Sequence, residues 1–382
     1  MILSLDRSAW KRVSLGDVAA ASKEKVDPES GQIQRYVAGE HMDSNDLKIH
    51  RWGEVGDGYL GPAFHRRFRP GQVLYGSRRA YLRKVAVAEF GGVTANTTFV
   101  VETKNSERLL QEFLPFVMTS ETFHAFAAQE SKGSVNPYLN WSDVVRYEFD
   151  LPPVSEQKRL ADFLWAVERY RLSIKKRSAM EAASVSASLR SWWRLADKRA
   201  IGEIADCVTG STPSRVNGSY WDSADVPFYT PSEIVGETMS PARQWVSMVG
   251  ARAGRMLQAN AVAVACIGGD MGKSAVIKDP GVSNQQITSI VGLSESDAYL
   301  LQAFLSHPDG RAAMEARETT TIVRKLNKSD LVKVEVPWPD DRKSLHGLVT
   351  SHRRCAEAAA GEVARLAVLR SALLADIFGD AK

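Results

Sequence analysis

The sequence predicts an α/β (α+β) chain made of two tandem copies of one globular domain, each followed by a long helix. Three observations carry this: a segment that returns in register about 187 residues later, a strand–glycine turn–strand unit that returns with it, and two helical stretches of roughly 35–40 residues. At 382 residues the chain is also longer than one ordinary core fills, so two or three domains are expected.

The repeat is read most directly at Leu139-Asn140-Trp141-Ser142-Asp143-Val144-Val145-Arg146-Tyr147-Glu148, which returns as Leu326-Asn327-Lys328-Ser329-Asp330-Leu331-Val332-Lys333-Val334-Glu335. Both copies leave through prolines, Pro152-Pro153 and Pro337-Trp338-Pro339, and upstream the helical-looking 107–130 pairs with 294–317. Gln72 to Val87 parallels Ala261 to Val276, each an apolar strand, a turn, a lysine (Lys84, Lys273) and a second apolar strand. The polar ends Val93-Thr94-Ala95-Asn96 and Val282-Ser283-Asn284-Gln285 follow, and the halves open alike at 11–19 and 198–206. Four such pairs in one order mark a tandem duplication.

After each half comes an amphipathic helix. Leu160, Leu164, Val167, Tyr170 and Ile174, then Val185, Leu189 and Trp192, recur at helical steps, as do Leu345, Leu348, Val349, Cys355, Ala359, Val363, Leu366, Leu369, Leu373 and Ile377. At 1.5 Å per residue each would be about 55–60 Å long. An apolar stripe without a globular body predicts pairing in an antiparallel coiled coil, hence a pseudo-two-fold chain. The boundaries expected are 1–153, a central helix at 154–196, 197–339, and a C-terminal helix at 340–382.

Composition bounds the function. Hydrophobic residues at 44% and charged residues at 25% are those of a soluble globular chain, and no apolar run reaches the roughly 20 residues a bilayer span needs. The opening MILSLDRSAWKR lacks the order of a secretory signal, so the cytoplasm is expected. Three scattered cysteines without CxxC support neither a disulfide framework nor zinc. Net charge is only +4, but from Gly58 to Ala88 there is no acidic residue while Arg66, Arg67, Arg69, Arg78, Arg79, Arg83 and Lys84 all fall inside. Such a stretch repels itself unless an anion offsets it. A solvated basic face is the plainer reading.

Several motifs together resemble the specificity subunit of type I restriction-modification systems over nearly the whole chain. They are Leu151-Pro152-Pro153-Val154-Ser155-Glu156-Gln157-Lys158-Arg159-Leu160; Thr209-Gly210-Ser211-Thr212-Pro213-Ser214 with Tyr220-Trp221 and Val226-Pro227-Phe228-Tyr229; and Ile267-Gly268-Gly269-Asp270-Met271-Gly272-Lys273 with Asn284-Gln285-Gln286-Ile287. Departures exist: Phe228 stands where a tryptophan is usual, and the first half has Arg78-Arg79-Ala80-Tyr81 where the second has glycines. The second exit reads Pro337-Trp338-Pro339-Asp340-Asp341. The resemblance implies two target-recognition domains docking on a bipartite double-stranded DNA site, with the helices as a ruler. It also implies two methyltransferase subunits as partners, with restriction/translocase subunits as a further addition. S-adenosylmethionine, ATP and Mg would be used by those partners, and no cofactor or metal is expected on this chain.

DNA reading needs cations for phosphate and planar donors for base edges. The first half offers Arg78, Arg79, Tyr81, Arg83 and Lys84 at a turn, then Asn96, then Lys132, Ser134 and Asn136 before the Leu-Asn-x-Ser-Asp element. The second offers Lys273, Asn284, Gln285, Gln286, Thr320, Arg324 and Lys325. Each could equally be a loop residue touching nothing, and Asn284-Gln285-Gln286 could be a structural amide cluster. The resemblance places partner binding on Glu156, Gln157, Arg159, Phe163 and Tyr170, with Trp165, Trp192 and Trp193 as further off-stripe aromatics.

No catalytic residues are expected. Gly268 to Ser274 lacks the first glycine of a phosphate loop, Val135-Asn136-Pro137-Tyr138 lacks the second proline of an amino-methyltransferase motif, and the seven histidines form no HxxxH or triad pattern. Two other readings stay open: a specificity module of another phage-defence system, and a scaffold that binds only protein.

Overall fold

A computed structural model describes residues 5–58, 60–319 and 323–379. The chain forms two compact units, Met1–Ile174 with Gly361–Lys382, and Lys175–Ala360. The first holds β1 (Lys11–Ser14), α1 (Leu15–Val18), β2 (Ala19–Ala21), β3 (Arg35–Val37), β4 (Gly53–Glu54), β5 (Phe64–Phe68), β6 (Val73–Gly76), β7 (Val85–Val87), β8 (Gly92–Ala95), β9 (Thr98–Thr103), α2 (Leu114–Met118), α3 (Glu121–Glu130), α4 (Trp141–Val144) and β10 (Glu148–Leu151). Helix α5 (Val154–Leu195) begins in this unit and ends in the other.

The second unit repeats the order: β11 (Lys198–Ala200), α6 (Ile201–Ile204), β12 (Asp206–Thr209), β13 (Val226–Tyr229), β14 (Gln244–Val246), α7 (Met248–Ala253), β15 (Met256–Leu257), β16 (Val262–Ala265), β17 (Ser274–Val276), β18 (Gly281–Ser283), β19 (Ile287–Val291), α8 (Glu295–Ser306), α9 (Pro308–Glu315), α10 (Lys328–Leu331), β20 (Glu335–Pro337) and the first half of α11 (Lys343–Phe378).

Sheet topology makes the duplication explicit. The first unit has sheets β2-β9-β6-β7 and β4-β3-β8-β5 and the ribbon β1-β10; the second has β12-β19-β16-β17, β14-β13-β18-β15 and β11-β20. In each unit the described residues pair two strands in parallel, β3 with β8 (Val37 opposite Thr94) and β13 with β18 (Phe228 opposite Val282). The central strands β6 and β16 read as unbroken apolar runs because both faces are covered. In the first unit Val37, Met42, Phe68, Leu74, Ala86 and Val100 pack together, and Tyr75 meets Phe123 of α3 edge-on at 5.5 Å. In the second, Val262, Val264, Ile290, Leu301 and Leu305 join Leu189 and Trp193 of α5 and Leu345 and Val349 of α11.

Three readings of the sequence change here. The stretches 107–130 and 294–317 are each two helices. Ser120 accepts from Phe123 N–H at 3.2 Å to start α3 afresh, and Pro308 opens α9. Trp193 is buried against Phe304 (5.2 Å), and Trp165 packs on Phe116 and donates to Glu112 O, so neither is a free aromatic. Tyr170, read as part of the apolar stripe, is 52% exposed.

Each long helix gives one half to each unit, and within the second unit the halves run antiparallel. Glu181 faces His352 at 4.0 Å, while Leu189 and Trp193 further along α5 share a core with Leu345 and Val349 earlier on α11.

His124 of α3 is buried, and neither ring nitrogen has a hydrogen-bond partner among the described residues. Burial, with the charge of Arg83, outweighs Glu121 and brings its pKa from 6.5 down to about 4. The unfolded chain therefore takes up this proton first. The unit keeps its full stability above about pH 6.5 and loses it as pH falls toward 4, by about 2 kcal/mol at pH 5. His124→Leu is expected to shrink the drop in melting temperature between pH 7.5 and pH 5; an unchanged drop would locate the acid sensitivity elsewhere.

Candidate nucleic-acid interface

In each unit the same backbone hydrogen bonds stitch three loops together. In the first, Ser77 N–H donates to Thr97 O (2.9 Å), Leu139 N–H to Ser77 O (2.9 Å) and Arg79 N–H to Pro137 O (2.6 Å). In the second, Cys266 N–H donates to Gln286 O (2.7 Å), Leu326 N–H to Cys266 O (2.8 Å) and Gly268 N–H to Arg324 O (3.0 Å). Lys132 and Tyr138 exchange both backbone bonds, and Thr319 N–H donates to Lys325 O at the matching place. The β6–β7 turn, the β8–β9 turn and the segment before α4 thus form one platform, as do their counterparts in the second unit. A bonded backbone holds the loops while their side chains stay free to differ.

The first platform gathers Arg78, Arg79, Tyr81, Arg83, Lys84, Asn96, Lys132, Ser134 and Asn136, residues up to about 60 positions apart in sequence. Tyr81 is 59% exposed, and Arg78, Arg79, Asn96, Lys132, Ser134 and Asn136 are exposed. The cations are not equivalent. The Arg83 guanidinium donates to both Glu121 oxygens (2.5 and 2.9 Å), Lys84 Nζ donates to Gly39 O, and Lys132 Nζ donates to Asp143 (3.0 Å). The Lys132 hydrogen bond holds the Asp143 carboxyl below the usual carboxylate range.

The acid-free stretch finds its anions elsewhere in the unit. Glu24 takes Arg69 (2.8 Å) and Arg67 (3.3 Å), Glu121 takes Arg83, and Arg66 turns inward to Thr98 O (2.8 Å). Arg78 and Arg79 are what remains. The Arg78 guanidinium lies 5.4 Å from the Tyr138 ring centroid, and the Arg79 side chain has no partner among the described residues.

The second platform is built of amides. Thr212 Oγ donates to Gln285 Oε1 (2.6 Å), and Asn284 Nδ2 donates to Gln286 Oε1 (2.9 Å), leaving exposed Gln285 with a free amide nitrogen among the described residues. Lys273 pairs with Asp270. Arg324 is claimed by Glu315 and Glu318 (2.9 Å each), and Lys325 is exposed. Thr320 lies outside the described residues. Tyr138 sits on the first platform under Arg78, and Thr212, which orients Gln285, is a contributor that sequence reasoning missed although the Thr-Gly-Ser-Thr-Pro run contains it. Trp221 packs edge-on against Phe228 (5.1 Å), while Trp245 is 41% exposed.

On α5, Glu156 and Arg159 pair bidentately (2.6 and 2.9 Å) at the surface, and Phe163 and Tyr170 are 44% and 52% exposed. Gln157 corrects the expectation of a partner contact. It is fully buried, its Oε1 accepting from Leu110 N–H (2.9 Å) and its Nε2 donating to Arg108 O and Pro152 O (2.8 Å each), so it ties α5 to its own unit. Among the described residues no three His, Cys, Asp or Glu side chains form a metal-binding group, and no helix is long and apolar enough to cross a membrane.

Residues 7–182 match the family of the type I restriction modification DNA specificity domain. The specificity subunit of the Escherichia coli type I restriction enzyme EcoDI is 23% identical over 211 residues, 55% of this chain and 45% of that subunit, so the match spans about half of the curated relative's length. The fold matches the specificity subunit of the type I system of M. genitalium (12% identity, 100% of this chain, 99% of that one, TM-score 0.60). It also matches a chain from a structure of a type I restriction-modification system (19% identity, 98% and 99%, TM-score 0.55). Residues 7–182 thus belong to the family of the type I restriction modification DNA specificity domain, and over its whole length the chain has the fold of solved type I specificity subunits.

Proposed function

We propose that the chain is the non-catalytic DNA-reading subunit of a type I restriction-modification complex, each platform reading one half of a bipartite duplex site in the major groove. The observation that carries this is the conserved stitching of three loops in both units beneath unlike side chains, arginines in one and amides in the other. A constant frame with divergent tips is what reading two different half-sites requires. In this reading residues 1–153 and 197–339 are the target-recognition domains, and 154–196 and 340–382 are the helical spacers. Two methyltransferase subunits, and restriction/translocase subunits where present, supply the chemistry with their own S-adenosylmethionine, ATP and Mg, in the cytoplasm. The candidate contacts are Arg78, Arg79, Tyr81, Asn96, Ser134, Asn136, Gln285 and Lys325, with Arg83, Lys84, Lys132, Lys273, Asn284, Gln286 and Arg324 shaping the loops.

A gel-shift titration tests it: log K should fall linearly with log salt, and a randomised duplex pool should yield two short motifs at a set separation. Salt-independent or absent binding would favour a protein scaffold. Four residues inserted at Ser178, about one helical turn, should change the tolerated spacer and leave both motifs intact.

For the partner surface, Phe163 and Tyr170 lie two turns apart on α5 and are exposed. Replacing both by alanine is expected to weaken capture of the methyltransferase subunits by about 2 kcal/mol or more, read by titration calorimetry, with DNA binding unchanged. Equal capture by both forms would move the interface off this face.

A further inference from the structure

Arg79 occupies a backbone position that an arginine should avoid. Its φ is +51° and that of Arg83 is +52°, both in the left-handed region. In the second unit the corresponding turn has Gly268 (φ +89°) and Gly272 (φ +87°). Hydrogen bonding fixes the correspondence, since Arg79 N–H donates to Pro137 O just as Gly268 N–H donates to Arg324 O. A side chain at such a φ costs about five- to thirty-fold in the folding equilibrium, and glycine removes that cost.

For Arg83 the reason is internal, because Glu121 holds its guanidinium at two points. Arg79 has no internal reason: its side chain is exposed and unpartnered among the described residues. Strain kept for a side chain that does nothing inside the unit points to a ligand outside it.

We infer that Arg79 reads a guanine in the half-site of the first unit, donating two N–H groups to O6 and N7 of that base. This rests on the DNA-reading function proposed above and names the base for one of its contacts. A guanidinium offers only donors, and in the major groove guanine alone presents two adjacent acceptors. A phosphate can also take a guanidinium at two points but carries no base preference, so selectivity at one base position is what separates the two partners. Neighbouring Arg78, braced on the Tyr138 ring, and exposed Asn96 complete a surface of donors around it.

The test uses the full chain and duplexes selected from a random pool. The wild-type chain should select guanine at one position of one half-site and lose about tenfold or more in affinity when 7-deazaguanine replaces it there. Arg79→Gly should lose that preference and Arg79→Lys weaken it, both leaving the other half-site untouched, with the salt slope of Arg79→Lys unchanged. Arg79→Gly should melt no lower than wild type because its strain is relieved, so its lost selectivity cannot be unfolding. Guanine preference retained by Arg79→Gly would make the contact a phosphate one, and a half-site without guanine would overturn the assignment. A wild-type chain that selects no sequence at all would instead sink the DNA-reading function itself.

Discussion

Glu168→Gln is expected to destabilise the first unit by about 3–5 kcal/mol, the cost of breaking a buried ion pair from one side. Four charged side chains, Asp46, Glu168, Arg171 and Arg370, are each less than 10% exposed there. Arg171 Nη2 reaches Glu168 (2.9 Å) and Asp46 (3.1 Å), while Arg370 Nε lies 2.6 Å from Glu168 and its Nη2 donates to Thr119 Oγ (3.0 Å). The set is balanced, two against two. Burial works against both guanidiniums. At Arg171 it is outweighed by Glu168 and Asp46, which raise the pKa, whereas at Arg370 burial wins and lowers it. The Arg370 Nε contact is close in distance but poorly aligned for a hydrogen bond, so it acts through charge. Without the Glu168 charge, two neighbouring buried cations share one carboxylate. Urea unfolding should show the first unit's transition moved to lower denaturant. Adding Arg370→Met, which removes the excess cation, should recover part of the loss; a single-variant loss under about 1 kcal/mol would mean that water already reaches the cluster.

That cluster shows where sequence reading runs out. The duplication was legible because strands and turns repeat as local patterns, and every strand of the first unit has its counterpart in the second. The two loop sets were legible too, since turn residues and interleaved cations are local signals. Pairing between distant residues was not. Glu24 and Glu121 lie about 40 positions from the arginines they neutralise, so a basic stretch read as a free anion-binding face keeps only Arg78 and Arg79 for that purpose. Gln157 sits in a surface-looking helical motif, and only the positions of Arg108, Leu110 and Pro152 in space bury it. The left-handed φ of Arg79 was equally hidden, because arginine is not the residue that advertises such a turn.

The second large effect is expected from Gly210→Ala, which should disable the amide platform while sparing the other. Gly210 directly follows β12, against the β18–β19 turn, and donates its N–H to Ile287 O at 2.9 Å. A Cβ there would stand 2.2 Å from Asn284 O, 2.3 Å from Ser283 Oγ and 2.5 Å from Ser283 O. Two of these are backbone oxygens, which cannot swing aside as a side chain can, so residues 283–285 must move as a block. They carry Asn284 and Gln285, and Thr212, two positions beyond Gly210, is the residue that orients Gln285. Overpacking of this kind costs on the order of 3 kcal/mol, so affinity for the cognate duplex should fall roughly 100-fold, with preference lost at the second half-site and kept at the first. Gly218→Ala is the matched control in the same unit, since an added Cβ meets nothing within 4 Å there. If Gly210→Ala binds both half-sites like wild type while Gly218→Ala does too, the amides of 284–286 are not the reading surface, and the contact must be sought at Lys273 and Lys325.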